Sequence, residues 1–419
     1  MNTKKLILAA MLMMASVVHA QKYVGGDISC LSDNETKNAQ YLDFDGKACP
    51  ALDLFKQEKL NAMRVRLFVN PSDYPNNDPN CCQTLDYVKA LGKRIKDAGF
   101  KLMLDFHYTD TWADPAKQWT PKAWETLTDA ELYTKIYEYT KDVLQQMKDA
   151  GATPDFIQTA NEISYGMLWG KEGSSNLKKC YLGSNANWSR FTTLLKNAGK
   201  ACREICPDAK IILHTERATQ TNVLTNFYDK MKTDNVDYDI IGLSYYPIWH
   251  NTVATLETAI KTLESKYTDK DIMIVETGAA YSWLPKKVDY TPVYKATEAG
   301  QKKFIDEVID MLKSHDKVTG LFWWWMDYNP YPENTTHMGR PWGIDWWYAP
   351  LYDGNTGKPL AAMSSLKDFL GEESGIHGIE ADDSDVSYNN VWTTLNGIRT
   401  AKPTRPGLYI HNGKKVVVR

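Results

Sequence analysis

Short runs of apolar and β-branched residues, separated by longer amphipathic stretches, recur along the chain: YVGGDIS, NAMRVRLFV, KLMLDFHY, DFIQTANE, KIILHTE, DIIGLSYYP, IMIVETG and GLFWWWMDY. Most are apolar at nearly every position rather than at every second one, which predicts strands buried on both faces. The stretches between them read as helices. In TLDYVKALGKRIKDAGF, Leu85, Val88, Leu91 and Ile95 form one stripe at three- and four-residue steps, and Gly99 stops it. Another helix starts at Thr128 with Glu131 as its capping-box partner and carries Leu132, Ile136, Tyr139 and Val143 on one face. Strands alternating with helices in this way predict an α/β fold with a parallel sheet, and the eight-fold count predicts that the sheet closes into a (β/α)8 TIM barrel. No glycine-rich phosphate loop follows the first run, which argues against an open nucleotide-binding sheet.

The barrel is expected to fill residues 21–371, ending with the helix around AAMSSLKDFLG near Gly371. Residues 372–390, EESGIHGIEADDSDVSYNN, are polar and acidic without periodicity and read as a linker. Residues 391–419 read as a short β-rich tail, in which Asn412-Gly413 between two β-rich runs predicts a hairpin. At the other end, Lys4 and Lys5 precede an apolar stretch from Leu6 to Val18, and Ala20 stands before Gln21. That is the pattern of a signal peptide over residues 1–20, implying export to the periplasm, the cell surface or the medium. No later stretch is long and apolar enough to span a bilayer, so no transmembrane segment is expected in the mature chain.

The net charge is −3, with Lys and Arg scattered among Asp and Glu, so no basic stripe is available for nucleic acid. Aromatic residues are abundant, with 14 Trp and 24 Tyr in 419 residues, and their flat apolar faces with polar edges suit sugar rings. The seven cysteines, Cys30, Cys49, Cys81, Cys82, Cys180, Cys202 and Cys206, lack histidines at zinc-site spacing. In an exported chain they allow one or two disulfides, with the connectivity open.

Two acids stand out at strand ends. Glu162 follows DFIQTAN with Asn161 beside it, and Glu276 ends the apolar run IMIVE. Two carboxylates on one rim of a barrel are what glycosidic bond cleavage requires: a proton donor beside the leaving oxygen and, in retaining enzymes, a nucleophile ~5–5.5 Å from it. By position alone Asp27, Asp105, Glu216 and Asp327 are also candidates. A buried Glu276 needs a charge partner, and Arg64 on the second strand is placed to keep it ionised.

Several segments resemble glycoside hydrolase family 53, the endo-β-1,4-galactanases: RVRLFVNP from Arg64, DFHYTDTWADP from Asp105, ANEISYGMLW from Ala160, GLSYYP from Gly242, IVET from Ile274 and GLFWW from Gly320, in that order. The resemblance covers roughly residues 23 to 371. It implies a retaining clan A barrel acting on galactan and type I arabinogalactan, with Glu162 after the fourth strand as acid/base and Glu276 after the seventh as nucleophile. It further implies that Arg64 and Tyr246 hold the nucleophile, that Asn161 meets the sugar 2-hydroxyl, and that Trp324 floors the subsite left of the bond, with Trp323 and Trp325 one register away. His107, Asp110 and Trp112 would line the groove. Some bacterial members hold calcium in a late loop, but the segment after Glu276, TGAAYSWLPKKVDYTPVYKATEAG, lacks a cluster of Asp and Asn ligands. No metal or cofactor is expected, with calcium the weaker alternative. Tyr328 to Gly357 is long for a βα loop and is expected to shape the groove.

Two other readings share parts of this pattern. Another clan A retaining β-glycanase, such as a mannanase or cellulase, would use the same two-glutamate plan, and a non-catalytic glycan-binding barrel would keep the groove without turnover.

Overall fold

The computed structural model describes residues 21–73, 80–181, 186–282, 293–327, 349–354, 356–371, 392–394, 399–400, 402–403, 407–411 and 414–418. The predicted signal peptide and linker, the Asn412-Gly413 turn, most of the Tyr328 to Gly357 loop and the centre of the segment after Glu276 lie outside these residues. The chain divides into two compact units, Met1–Glu372 and Glu373–Arg419.

In the first unit, eight parallel strands close into a barrel in sequence order: β1 (Tyr23–Asp27), β2 (Ala62–Leu67), β3 (Lys101–Phe106), β4 (Phe156–Thr159), β5 (Lys210–Thr215), β6 (Ile240–Tyr245), β7 (Asp271–Thr277) and β8 (Val318–Trp323). Each coincides with one of the eight apolar runs. Helices return the chain between strands, as at Leu85–Asp97, Asp129–Asp149 and Trp188–Ile205. The first of these buries Val88, Leu91 and Ile95 and is followed by Gly99 at φ +88°, a left-handed position that glycine adopts without strain. The second opens with the reciprocal Thr128–Glu131 capping box and buries Leu132, Ile136 and Val143.

The strands fit together closely. A side chain at Gly25 would place its Cβ 1.7 Å from the Ala62 carbonyl oxygen, so β1 can lie against β2 only with glycine there. Inside the barrel, side chains repeat every second residue and stack in layers. The lower layer is apolar, formed by Ala62, Met103, Phe156, Ile212, Ile240, Met273, Val275 and Phe322 with Tyr23 packed against it. Two residues further along β2 to β5, the inward positions become Arg64, Asp105, Gln158 and His214, all buried. The barrel core therefore passes from hydrocarbon to hydrogen-bonded polar groups at its C-terminal end.

The second unit is a four-stranded antiparallel sheet in the order β10-β9-β11-β12, where β9 is Trp392–Thr394, β10 Arg399–Thr400, β11 Gly407–His411 and β12 Lys414–Val418. His411 pairs with Lys414, the register of a hairpin with a two-residue connection. The expected hairpin is thus part of a larger sheet; β9 and β10 are too short to leave an alternation in the sequence.

The expectation of disulfides is corrected. No disulfide links cysteines among the described residues, and Cys30, Cys49, Cys180, Cys202 and Cys206 are buried thiols. Cys202 and Cys206 sit one turn apart at the end of a single helix, and Cys49 lies against Gln57 and Pro50. Cys30 and Cys82 each lie against the same amide, with Gln83 Nε2 at 3.3 and 3.2 Å from their sulfurs.

Candidate active site

The polar layer is organised by Arg64. Its guanidinium is fully buried and reaches four acceptors: Nη1 donates to Asp27 Oδ2 at 2.9 Å, and Nη2 lies 2.7 Å from Asp105 Oδ2, 3.0 Å from Asn161 Oδ1 and 2.8 Å from Glu276 Oε1. A buried cation needs such partners, and the planar guanidinium meets carboxylates from several strands at once. Arg66, two residues on, donates to Asp27 Oδ1 at 2.7 Å and lies over the Trp112 ring at 4.5 Å.

Burial pushes the Asp105 carboxyl up, but Arg64, His107 and His214 outweigh it and hold the group below the usual carboxylate range. Glu276 goes the other way. Burial raises it, Arg64 pulls it down, and the charges of Asp105 and Asp27 add to the rise. Its second oxygen, Oε2, accepts from the Tyr246 hydroxyl at 3.0 Å. Both nucleophile-holding partners expected from the sequence, Arg64 and Tyr246, therefore contact Glu276. Tyr245 turns away from the site: it is buried, stacks on His250 and Phe304, and donates to the Asn251 carbonyl at 3.0 Å.

Glu162 follows β4 through an unusual backbone, with Ala160 at φ +78° and Glu162 at φ +50°. Left-handed geometry at two non-glycine residues costs energy and persists only where surrounding bonds enforce it. Here the Gln118 side chain donates to the Asn161 carbonyl at 2.6 Å, and the Ile163 amide donates to the His214 carbonyl at 3.0 Å. Glu162 Oε1 lies 2.7 Å from Ser244 Oγ. Burial, the charge of Glu276 and the charge of Glu216 push its carboxyl well above the usual range, in that order.

One ligand-type atom from each of Glu162, His214 and Glu276 lies within 4.8 Å of the others, so the two glutamates face each other across the barrel mouth. The same triad could grip a metal ion in outline. Both His214 nitrogens are already engaged, however, Nε2 with Ser244 Oγ at 2.7 Å and Nδ1 near Asn161 Oδ1 at 2.9 Å, which favours a hydrogen-bonded carboxylate pair.

The other expected site residues separate into two groups. Trp324 belongs to an aromatic cluster on this rim with Tyr246, Tyr281, Trp325 and Leu360, against which Trp112 packs. Trp323 points into the outer core and donates its indole N–H to the Ala349 carbonyl at 2.6 Å, which removes it from the groove. His107 and Asp110, expected along the groove, are each engaged by protein groups. His107 is buried, its Nδ1 accepts from the Ala113 amide at 2.9 Å and its Nε2 faces Asp105 Oδ2 at 3.1 Å. Asp110 accepts from the Asn70 and Lys122 amides, at 3.0 and 2.8 Å, and braces two loops. Asn161 is placed beside the pair, but its Oδ1 is taken by Arg64 and one Nδ2 hydrogen goes to the Ala113 carbonyl at 2.8 Å.

Sequence reading missed Ser244, His214, Gln158 and Gln118. The first three carry a usable signal, since they lie an even number of residues above or below inward positions on β4, β5 and β6. The β7 partner strand carries a register shift: Leu243 pairs with Ile274 but Ser244 pairs with Glu276, so Val275 is an extra residue on β7 and Glu276 comes opposite Ser244.

Comparison with known proteins places the chain in context. The sequence profile of Glycosyl hydrolase family 53 matches residues 23–366. An arabinogalactan endo-beta-1,4-galactanase of Cellvibrio japonicus is 32% identical over 342 residues, covering 76% of this chain and 86% of that protein. An endo-beta-1,4-galactanase of Bacillus subtilis is 29% identical over 348 residues, covering 78% of this chain and 77% of that protein. Among solved structures, the GH53 catalytic domain of Ignisphaera aggregans superposes with a TM-score of 0.72 at 31% identity, covering 83% of this chain and 95% of that one.

Proposed function

Because the chain belongs to glycosyl hydrolase family 53, we propose that it is an endo-β-1,4-galactanase that cleaves galactan and type I arabinogalactan with retention of configuration. The observation that carries this reading is the approach of Glu162 and Glu276 to within 4.8 Å. Retaining enzymes hold their carboxyls ~5–5.5 Å apart, whereas inverting enzymes need ~6.5–9.5 Å to admit a water.

Glu276 Oε1 and Oε2 are held by Arg64 and Tyr246, which leaves the carboxylate oriented towards the mouth of the barrel. In the first step a Glu276 oxygen bonds to the anomeric carbon while the bond to the leaving O4 breaks, and Glu162 delivers its proton to that oxygen. Glu162 is suited to this because burial first, and then the neighbouring negative charges, push its carboxyl well above the usual range. Once Glu276 is esterified, one of those charges is gone, and Glu162 becomes the base that takes a proton from water. Water then replaces Glu276 at the anomeric carbon. The remaining Asn161 amide hydrogen serves the 2-hydroxyl of the sugar being cleaved, and Trp324 with Trp112 supplies an aromatic wall beside it.

Residues 1–20 direct export in this reading, so that the enzyme meets its polysaccharide in the periplasm, on the cell surface or outside the cell. The deciding experiment is a panel of galactan, arabinogalactan, mannan and cellulose with product sizing and NMR of the first anomer released. Short β-galacto-oligosaccharides from galactan are expected. Activity confined to mannan or cellulose would overturn the substrate, and an inverted first anomer would overturn the mechanism.

A further inference from the structure

The contacts around Glu162 restrict where hydrogens can sit. The Asn161 amide has one workable orientation: Oδ1 faces the Arg64 Nη2 donor at 3.0 Å, and Nδ2 faces the Ala113 carbonyl at 2.8 Å. Flipping it would set donor against donor and acceptor against acceptor. His214 Nδ1 lies 2.9 Å from that Oδ1, so this contact is a hydrogen bond only when Nδ1 carries a hydrogen. His214 Nε2 lies 2.7 Å from Ser244 Oγ, and Ser244 Oγ lies 2.7 Å from Glu162 Oε1.

The ring is buried among Arg64 on β2, Asp105 on β3 and His107 immediately after β3. Burial first, then Arg64, holds it well below the usual histidine range, so it is neutral. A neutral ring with its hydrogen on Nδ1 offers a lone pair at Nε2. The Ser244 hydroxyl donates there, and its oxygen is then satisfied only by a hydrogen from Glu162. The path from Asn161 Oδ1 through the ring and Ser244 to Glu162 is then hydrogen-bonded throughout, with the Gln158 amide directed to Asp105 and Asn161 rather than to Nδ1, and it requires a protonated Glu162.

When Glu162 is ionised the pattern must reverse. The Ser244 hydroxyl turns to the carboxylate, and the ring places its hydrogen on Nε2 to serve the Ser244 oxygen. The bare Nδ1 then needs a donor. Gln158 Nε2 is 3.0 Å from Nδ1 and 3.1 Å from Asn161 Oδ1, with its other hydrogen on Asp105 Oδ1 at 2.5 Å. Its second hydrogen pivots from one acceptor to the other. Nδ1 and Asn161 Oδ1 are left as two facing lone pairs, where the protonated form instead sets the Gln158 amide against the Nδ1 hydrogen, so each ring tautomer satisfies one of the two contacts at Nδ1.

We propose that Ser244 and His214 are positioning residues that couple the His214 tautomer to the protonation of Glu162. One proton leaves the unit, to the leaving oxygen during the reaction or to solvent during a titration, and the ring keeps its single hydrogen while moving it from Nδ1 to Nε2. The coupling rests on the reading of Glu162 as the acid/base. The charged groups facing Glu162 are Glu276 on β7, Glu216 after β5 and Asp114 in the loop after β3, and they set the pH at which the switch occurs.

The test is a pH series of 15N-histidine NMR spectra on the full-length protein, set beside the pH profile of kcat/KM on galactan. The His214 hydrogen is expected on Nδ1 at low pH and on Nε2 above the basic limb, with the two midpoints coinciding. Ser244→Ala is expected to uncouple the tautomer from the limb and to displace the limb, and Ser244→Thr to restore both. A single tautomer throughout the wild-type limb overturns the coupling, and an unaltered switch in Ser244→Ala overturns the route through the hydroxyl. Glu162→Gln separates the two levels. Full galactan hydrolysis by that variant sinks the acid/base reading itself, whereas an inactive variant combined with an unswitching wild-type ring sinks only the coupling.

Discussion

Arg64 Nη2 lies 2.8 Å from Glu276 Oε1, and the guanidinium that makes this contact is completely shielded from solvent. It simultaneously neutralises Asp27 and Asp105, so the group that holds Glu276 also holds the polar layer of the barrel together. Arg64→Lys keeps the charge but cannot span three carboxylates. We expect a loss of about 3–5 kcal/mol in stability from the uncompensated buried charges and a fall in kcat of about 10²–10³-fold. Denaturant melts and single-turnover rates check the two effects separately; a variant with wild-type stability would contradict the hub role.

Tyr246→Phe removes one hydroxyl that donates to Glu276 Oε2 and leaves the ring in place. A hydrogen bond to a charged group contributes about 1.5–3 kcal/mol, so kcat should fall about 10- to 100-fold with the fold intact. Because burial of Glu276 already favours its protonated form, the loss of a donor should also move the acid limb of the pH profile upward. An unchanged acid limb would show that the hydroxyl does not act on the carboxylate.

Glu216→Gln tests the electrostatics on the other side of the pair. Glu216 lies near Ser164 and Arg217 Nε, the latter 2.8 Å from its Oε1, and its negative charge helps raise Glu162. With that charge removed, Glu162 ionises at lower pH, so the basic limb of kcat/KM should move down while the acid limb stays. A basic limb that stays put would remove Glu216 from the tuning of the acid.

Asp327 offers a stability prediction away from the chemistry. It is 1% exposed and accepts from the Cys30 amide at 2.8 Å; burial first and Asp27 second push its carboxyl well above the usual range. The folded state therefore binds this proton more tightly than the unfolded chain. Its stabilising effect is complete below the unfolded value and is lost as pH rises towards the folded one. Asp327→Asn should remove that slope, so the melting-temperature gain of the variant over wild type should grow with pH. A gap independent of pH would contradict the shift.

The legibility of this chain follows from its geometry. Strands β1 to β8 were readable because both faces of a barrel strand are buried, which leaves dense apolar runs, and Glu162 and Glu276 were readable because polar residues end two of those runs. His214 and Ser244 were not singled out, since they sit inside runs whose neighbours disguise them and only the strand register shows which way they point. The bulge at Val275, which sets Glu276 opposite Ser244, has no sequence mark of its own. His107 and Asp110 lie in a motif beside the groove, but a motif does not tell whether a side chain faces substrate or backbone, and here both brace the loop. Cysteine spacing likewise carried no information on the packing, which brings Cys30 beside Cys82 from distant parts of the sequence and leaves both as thiols.

The change of the barrel interior from an apolar layer to a polar one, two residues higher on the same strands, orders the effects of mutation by height. At Met103 or Ile212 an alteration is felt as lost protein, because only packing is at stake there. At His214, one inward position above Ile212, the same chain is expected to accumulate and yet turn over slowly, because that neutral ring holds a proton in place rather than balancing a buried charge. Abundance and specific activity, measured together across substitutions along a single strand, should therefore part company within one pleat.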